Sequence, residues 1–125
     1  MGMDVIGKAP ANETGEYFRN NVWYWRPLWN YCEVVAPELT KLVKYAQSND
    51  GDGLKEKESL LLSKLLFNEI ESGRTAEYEA EYYKEQAKLP LVDDRPDWST
   101  NYPFSVENVK GFAEFLQYSG GFSIC

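Results

Sequence analysis

The segment that most limits how this chain can fold is Leu60 to Ile70, LLLSKLLFNEI. Ser63, Lys64, Asn68 and Glu69 interrupt it, so it falls well short of the ~20 apolar residues that a membrane span requires. Its apolar residues recur at helical rather than alternating spacing, which predicts a helix from about Leu54 to Ser72. Leu60, Leu61, Leu62, Leu65, Leu66, Phe67 and Ile70 cover more than one stripe of that helix. A surface so wide places the helix at the centre of the core. With 125 residues in all, there is material for one domain, 1–125, organised around it.

The flanking segments read as further helices with a strand at each end. Met3 to Ile6 alternates and is closed by Gly7 and the turn around Pro10, as a short strand would be. Pro27 suits the first turn of a helix, after which Leu28, Tyr31, Cys32 and Val35 recur at helical spacing. Pro37 restarts or bends that helix, and Leu39, Leu42, Val43 and Ala46 continue the stripe. Gly73 stops the central helix, and Thr75 caps the next, Ala76 to Lys88. Leu89 to Pro103 holds three prolines and reads as a loop. Ser105 caps the last helix, with Val106, Val109, Phe112, Ala113 and Leu116 on one face. Gly120 and Gly121 end it, and Phe122 to Cys125 runs as a terminal strand. The expected fold is mostly helical α+β, with four to five helices and short terminal strands that pair with each other.

Composition closes off much chemistry. Lys and Arg number 13 against 20 Asp and Glu, a net charge of −7, which argues against phosphate-driven nucleic-acid binding. No histidine is present, so imidazole serves neither as base nor as metal ligand, and Ser-His-Asp and Cys-His catalysis are excluded within the chain. Cys32 and Cys125 lie far apart and form no metal or redox pair. Cys32 reads as a small core hydrophobe. No phosphate-binding loop, dinucleotide fingerprint or nucleophile elbow occurs. The reading is non-enzymatic, with no cofactor. The N-terminus shows no signal-peptide core, and Ile6 stands where a myristoylation pattern needs Ser or Thr. The expected location is cytoplasmic.

SNDGDGLKEKES tests against the EF-hand loop. With Gly53 at the invariant glycine, Asp50 and Asp52 fall on ligand positions, but Ser48 opens the loop and Ser59 stands where a bidentate Glu belongs. Asp50 and Asp52 are the candidate metal ligands. The preferred reading is a turn in which one of them caps the following helix while the glycines take positive φ.

Two stretches stand out as candidate binding surfaces. The first is aromatic and basic: Arg19, Asn20, Asn21, Trp23, Trp25, Arg26 and Trp29 fall within eleven positions. Aromatic faces stack on flat ligands while Arg and Asn read phosphates and polar edges; the same residues equally fill a core. The second is acidic. Glu77, Glu81 and Glu85 follow at i, i+4 and i+8, with Tyr78 and Tyr82 beside them. Such a ridge is either a solvated face or a patch that imitates the charge of nucleic acid and is offered to a basic partner.

Taken together, GMDVIGK with GEYFRNNVWYWRPLWNYC, NDGDGL with ESGRTAEYE, and YPFSVENVKGFAEFLQYSGGFSIC resemble a family of small proteins from bacteriophages and bacterial genomes. Some longer relatives carry a Cys-rich, zinc-ribbon-like insertion before the YPFS block. Here the cysteine-free Leu89 to Asn101 stands in its place, so no metal role follows. The family carries no established reaction, and the resemblance implies a setting only. The expectation is an accessory protein that binds a host protein or protein complex, for instance as an inhibitor of a defence system. A nucleotide-like ligand held by the Trp/Arg stretch is the alternative. Direct nucleic-acid or membrane binding is not expected.

Overall fold

Met3 and Val5 are buried while Ile6 is exposed and Asp4 half-buried, the alternation of a strand with one face on a core. In the computed structural model, which describes residues 2–43, 53–87 and 104–124, this strand is β1 (Gly2–Gly7). It pairs antiparallel with β2 (Tyr17–Asn21) and with β3 (Phe122–Ile124), in the order β2-β1-β3. Val5 stands opposite Phe18 on one side and Ile124 on the other. The two termini therefore do pair, as the sequence predicts, and β2 joins them as a strand the sequence reading did not foresee. Tyr17 to Asn21 is polar and aromatic with no clean alternation, so only its partner β1 makes it a strand.

Five α-helices lie among the described residues: α1 (Val22–Val35), α2 (Pro37–Thr40), α3 (Glu56–Glu71), α4 (Arg74–Ala87) and α5 (Val106–Tyr118). The fold is mostly helical α+β. Helix α1 starts five residues before Pro27, so the proline sits inside the helix rather than in its first turn. Its ring removes one rung of the hydrogen-bond ladder. Burial of Trp25, Leu28, Trp29 and Cys32 along the same face holds the helix together regardless. The restart at Pro37 occurs, but α2 lasts only four residues, and Leu42 is exposed rather than part of a continuing stripe. The rest of that stripe, at Ala46, lies outside the described residues, as does the loop predicted around residues 89–103.

Phe112 on α5 anchors the core. It meets Phe18 at 5.2 Å between ring centroids, Trp25 edge-on at 5.4 Å and Phe122 at 6.1 Å. Aromatic residues of β2, α1 and β3 thus converge on α5, which is what joins sheet to helices. Such tilted and edge-on pairs add to the free energy gained by burying the rings.

Helices α3 and α5 run antiparallel in close contact. Ser59 Oγ donates to the Leu116 carbonyl at 3.0 Å and Ser63 Oγ to the Ala113 carbonyl at 2.7 Å. Small side chains at these positions let the backbones approach, and each buried hydroxyl has its partner. This corrects the expectation for the central helix. Leu62 and Leu66 face the core beside the two serines, but Leu60 and Leu61 are 44% and 46% exposed. The side of α3 that meets α5 is built partly from serine, and part of its leucine surface faces outward.

Two glycines close the structure. Gly121, at φ +96° in the turn after α5, is extended by a bridge to Lys55, and a Cβ there would lie 2.8 Å from the Leu54 carbonyl oxygen. Gly15 ends a short 3-10 turn (Glu13–Gly15) whose backbone presses on the end of α5; a Cβ would fall 2.0 Å from the Tyr118 carbonyl oxygen.

Candidate binding surfaces

The aromatic and basic stretch is divided among separate duties. Trp25 and Trp29 stack on each other at 5.6 Å, both buried, on the core face of α1. Their spacing of one helical turn is what brings the rings together. Neither offers a face to a ligand at the surface. Arg26 is exposed on the same helix. Arg19 lies on β2 opposite Asp4 of β1, with Nε 3.5 Å from the carboxylate, and the Tyr17 hydroxyl donates to the same carboxylate. That bond, which favours the neutral phenol, raises the Tyr17 pKa. Asn20 is tied to Asn108 of α5 by a pair of amide hydrogen bonds, 3.0 and 2.9 Å. The side chains of Asn21 and Trp23 lie outside the described residues. The arrangement takes Trp25, Trp29 and Asn20 into the packing between α1, β2 and α5.

The acidic helix is different. Its residues divide around α4 into three directions. Thr75, Tyr78 and Tyr82 turn toward the core side. Thr75 therefore does not cap the helix as predicted: α4 begins at Arg74, and the buried Thr75 hydroxyl lies 2.8 Å from that of Tyr31. Glu79 and Tyr83 reach to the start of α5. Glu79 accepts from the Val106 N–H at 2.8 Å, and the Tyr83 hydroxyl both donates to the Phe104 carbonyl (2.8 Å) and accepts its N–H (2.9 Å). The Glu79 carboxylate thus supplements Ser105, which caps α5 as predicted by accepting from Asn108 N–H.

Glu77 and Glu81 take the third direction. With Glu69 from the end of α3 they edge a groove of about 390 Å³ between α1 and α4. Its floor is Tyr31 and Tyr78, 4.5 Å apart, backed by Phe104 at 5.3 and 4.9 Å. Val34 and Val35 form the α1 wall. Among the described residues Arg74 is the cation of the lining, and Glu69 holds it in an ion pair. Burial raises the pKa of the Tyr31 hydroxyl, with the Glu69 charge adding to it, and burial alone raises that of Tyr78. Both tyrosines are neutral at pH 7 and present apolar, electron-rich faces. Such an arrangement can take a cationic side chain, with carboxylates for the charge and rings and valines for its aliphatic stem.

Of the predicted acidic face, Glu77, Tyr78 and Glu81 come together here. Tyr82 packs on Phe104 at 5.8 Å instead, and the Glu85 side chain lies outside the described residues. The sequence did not reveal Tyr31, Val34 or Glu69 as neighbours of this face, because α1 reaches it by helix packing and α3 by the turn at Gly73 (φ +86°), which no periodicity encodes. Asp50 and Asp52, the weak metal candidates, lie outside the described residues. Among the described residues, no group of three or more His, Cys, Asp or Glu is placed to hold a metal ion, and no helix is long and apolar enough to cross a membrane. No family model, no curated protein and no solved structure matches the chain.

Proposed function

We propose that this chain is a non-enzymatic accessory protein that binds a host macromolecule, and that the α1/α4 groove grips a basic segment of a protein partner. One observation carries the reading. Glu77 and Glu81 stand over a tyrosine floor, while Glu69 pairs with Arg74, the cation of the lining among the described residues. An arginine or lysine side chain entering the groove lays its stem along Val34 and the rings and brings its charge to the rim. The net charge of −7 steers basic partners toward the molecule as a whole. A bacterial defence complex that works through a basic nucleic-acid groove is the kind of partner such a surface would occupy and inhibit.

The test is titration with an Arg/Lys-rich peptide and with its Gln-substituted counterpart. The basic peptide binds, more weakly as salt rises, and Glu77→Gln/Glu81→Gln lowers its affinity at least tenfold, about 1.4 kcal/mol. Glu13→Gln/Glu107→Gln, which removes the same charge elsewhere on the surface, leaves most of the affinity in place. Equal losses from the two double variants would reduce the groove to general electrostatics and sink the proposal.

A further inference from the structure

Helix α3 buries one side against α5 and packs Leu65, Phe67 and Ile70 on the core, yet it leaves two leucines exposed. Toward α5 lie Ser59, Leu62, Ser63 and Leu66, buried. On the other side Leu60 and Leu61 stand nearly half exposed, joined by the partly buried Phe67. These residues line an open groove of about 690 Å³ along the outer face of α3, with Gln117 of α5 at its side. Leucines so placed contribute little to folding, since burial is what makes them stabilising. Two cations frame them: Lys57 and Lys64 line the same groove, seven residues or two helical turns apart, ~10.5 Å along the axis. Neither makes an ion pair among the described residues. Glu71 lines the groove too, a single carboxylate against the two lysines.

We propose that this groove docks an amphipathic, acidic helix of a partner protein. Its apolar residues at i, i+3 or i+4, and i+7 would cover Leu60, Leu61 and Phe67, while Asp or Glu two turns apart on its flank would pair with Lys57 and Lys64. A helix laid along the outer face of α3 sets its apolar side on these residues, one of the recurring ways an amphipathic segment is recognised. The charge decides the occupant. On a chain of net charge −7, a groove framed by two lysines favours an acidic ligand over the basic one that suits the α1/α4 groove. The two surfaces therefore select partners of opposite sign.

The probe is a fluorescently labelled helical peptide with Leu at i, i+4 and i+7 and Glu at its flanking positions. A version with Lys in place of Glu is the control, and anisotropy is the readout. The acidic peptide binds and the basic version binds at least tenfold more weakly. Leu60→Ser/Leu61→Ser abolishes binding with an unchanged circular dichroism spectrum, because neither leucine is a core residue. Lys57→Glu/Lys64→Glu inverts the preference between the two peptides. Glu77→Gln/Glu81→Gln leaves acidic-peptide binding unaltered, which separates this result from that for the α1/α4 groove. Absence of binding, or binding indifferent to the leucine variant, overturns the proposal. So does sedimentation showing a dimer that Leu60→Ser/Leu61→Ser dissociates, since a second copy would then be the occupant.

Discussion

Asn20 and Asn108, 88 residues apart, exchange two hydrogen bonds between their side-chain amides, 3.0 and 2.9 Å long. Each amide gives its N–H to the other's carbonyl, so β2 is fastened to the first turn of α5 at a point where both are partly buried. The same Asn108 offers its backbone N–H to the Ser105 cap. An asparagine that reads in sequence as a ligand contact is thus a fastener between two elements of the fold. Asn20→Ala or Asn108→Ala leaves the opposing amide without its partner and is expected to cost about 1–2 kcal/mol. Because the two act as one unit, the double variant should cost clearly less than the sum. Urea denaturation of the four proteins in the cycle measures this, and strict additivity would mean that the pair carries no coupling.

Helix α3 offers a reversal of the usual expectation for serine and leucine. Ser63→Leu forces a large side chain between α3 and α5, where the Ser63 hydroxyl now bonds the Ala113 carbonyl at 2.7 Å. Overpacking together with the lost bond should destabilise by about 2–3 kcal/mol or more. Leu60→Ser, one of the outward leucines, should stay within about 0.5–1 kcal/mol of the wild type. Thermal unfolding monitored by circular dichroism ranks the two, and a reversed order would show that Leu60 belongs to the core.

Gly15 gives a prediction about backbone contact. The chain before it is bound to the end of α5, Ala11 N–H to the Tyr118 carbonyl at 2.8 Å and Ala9 N–H to the Ser119 carbonyl at 2.9 Å. A methyl group on Gly15 meets that same Tyr118 carbonyl at 2.0 Å, and backbone on both sides has no rotamer by which to yield. Gly15→Ala should cost about 1–3 kcal/mol. Gly73→Ala, at φ +86° but with open space around a Cβ, tests the different cost of a left-handed backbone, roughly 1 kcal/mol. Denaturant midpoints for both variants separate crowding from strain.

Alkaline pH should weaken the fold in two stages. In the unfolded chain a thiol ionises near pH ~8.5 and a tyrosine near pH ~10. Burial pushes Cys32 strongly upward, and pushes Tyr31 and Tyr78 upward as well. Above those unfolded values the folded protein therefore holds more protons than the unfolded one, and stability falls as pH rises. Their contribution is fully present below pH ~8.5. Melting temperatures from pH 7 to 11 should decline first through Cys32 and then through the tyrosines. Cys32→Ala, compared with its own value at pH 7, should flatten the early part of that decline.

Much of the fold was legible because local chemistry speaks for it. Ser105 at the cap of α5, the glycines after it, the break at Gly73 and the alternation of Met3 to Ile6 each act through neighbours a few residues away. The acidic ridge was legible as well, since Glu77 and Glu81 share a face on any helix. Three things were hidden. Strand β2 exists through its pairing with β1 rather than by its own pattern. Pro27 sits within α1 because Trp25, Leu28 and Trp29 bury on both sides of it, a tertiary gain that exceeds the local cost. Ser59 and Ser63 stand on the inward side of α3 where their hydroxyls meet backbone carbonyls of α5 directly.

The sequence by itself determined most of the helices, the two terminal strands and which chemistry is closed. Periodicity and caps settle the helices, and the absence of histidine removes a class of catalysis, because these depend on residue identity and short-range spacing. Only the tertiary structure decided what each exposed-looking residue does. It took Trp25, Trp29 and Asn20 into the framework, and brought Tyr31 and Val34 of α1 to the foot of the Glu77 and Glu81 ridge. It also left Leu60 and Leu61 outside, between two lysines. Helix–helix approach and strand pairing join residues tens of positions apart, and neither leaves a mark in the local pattern.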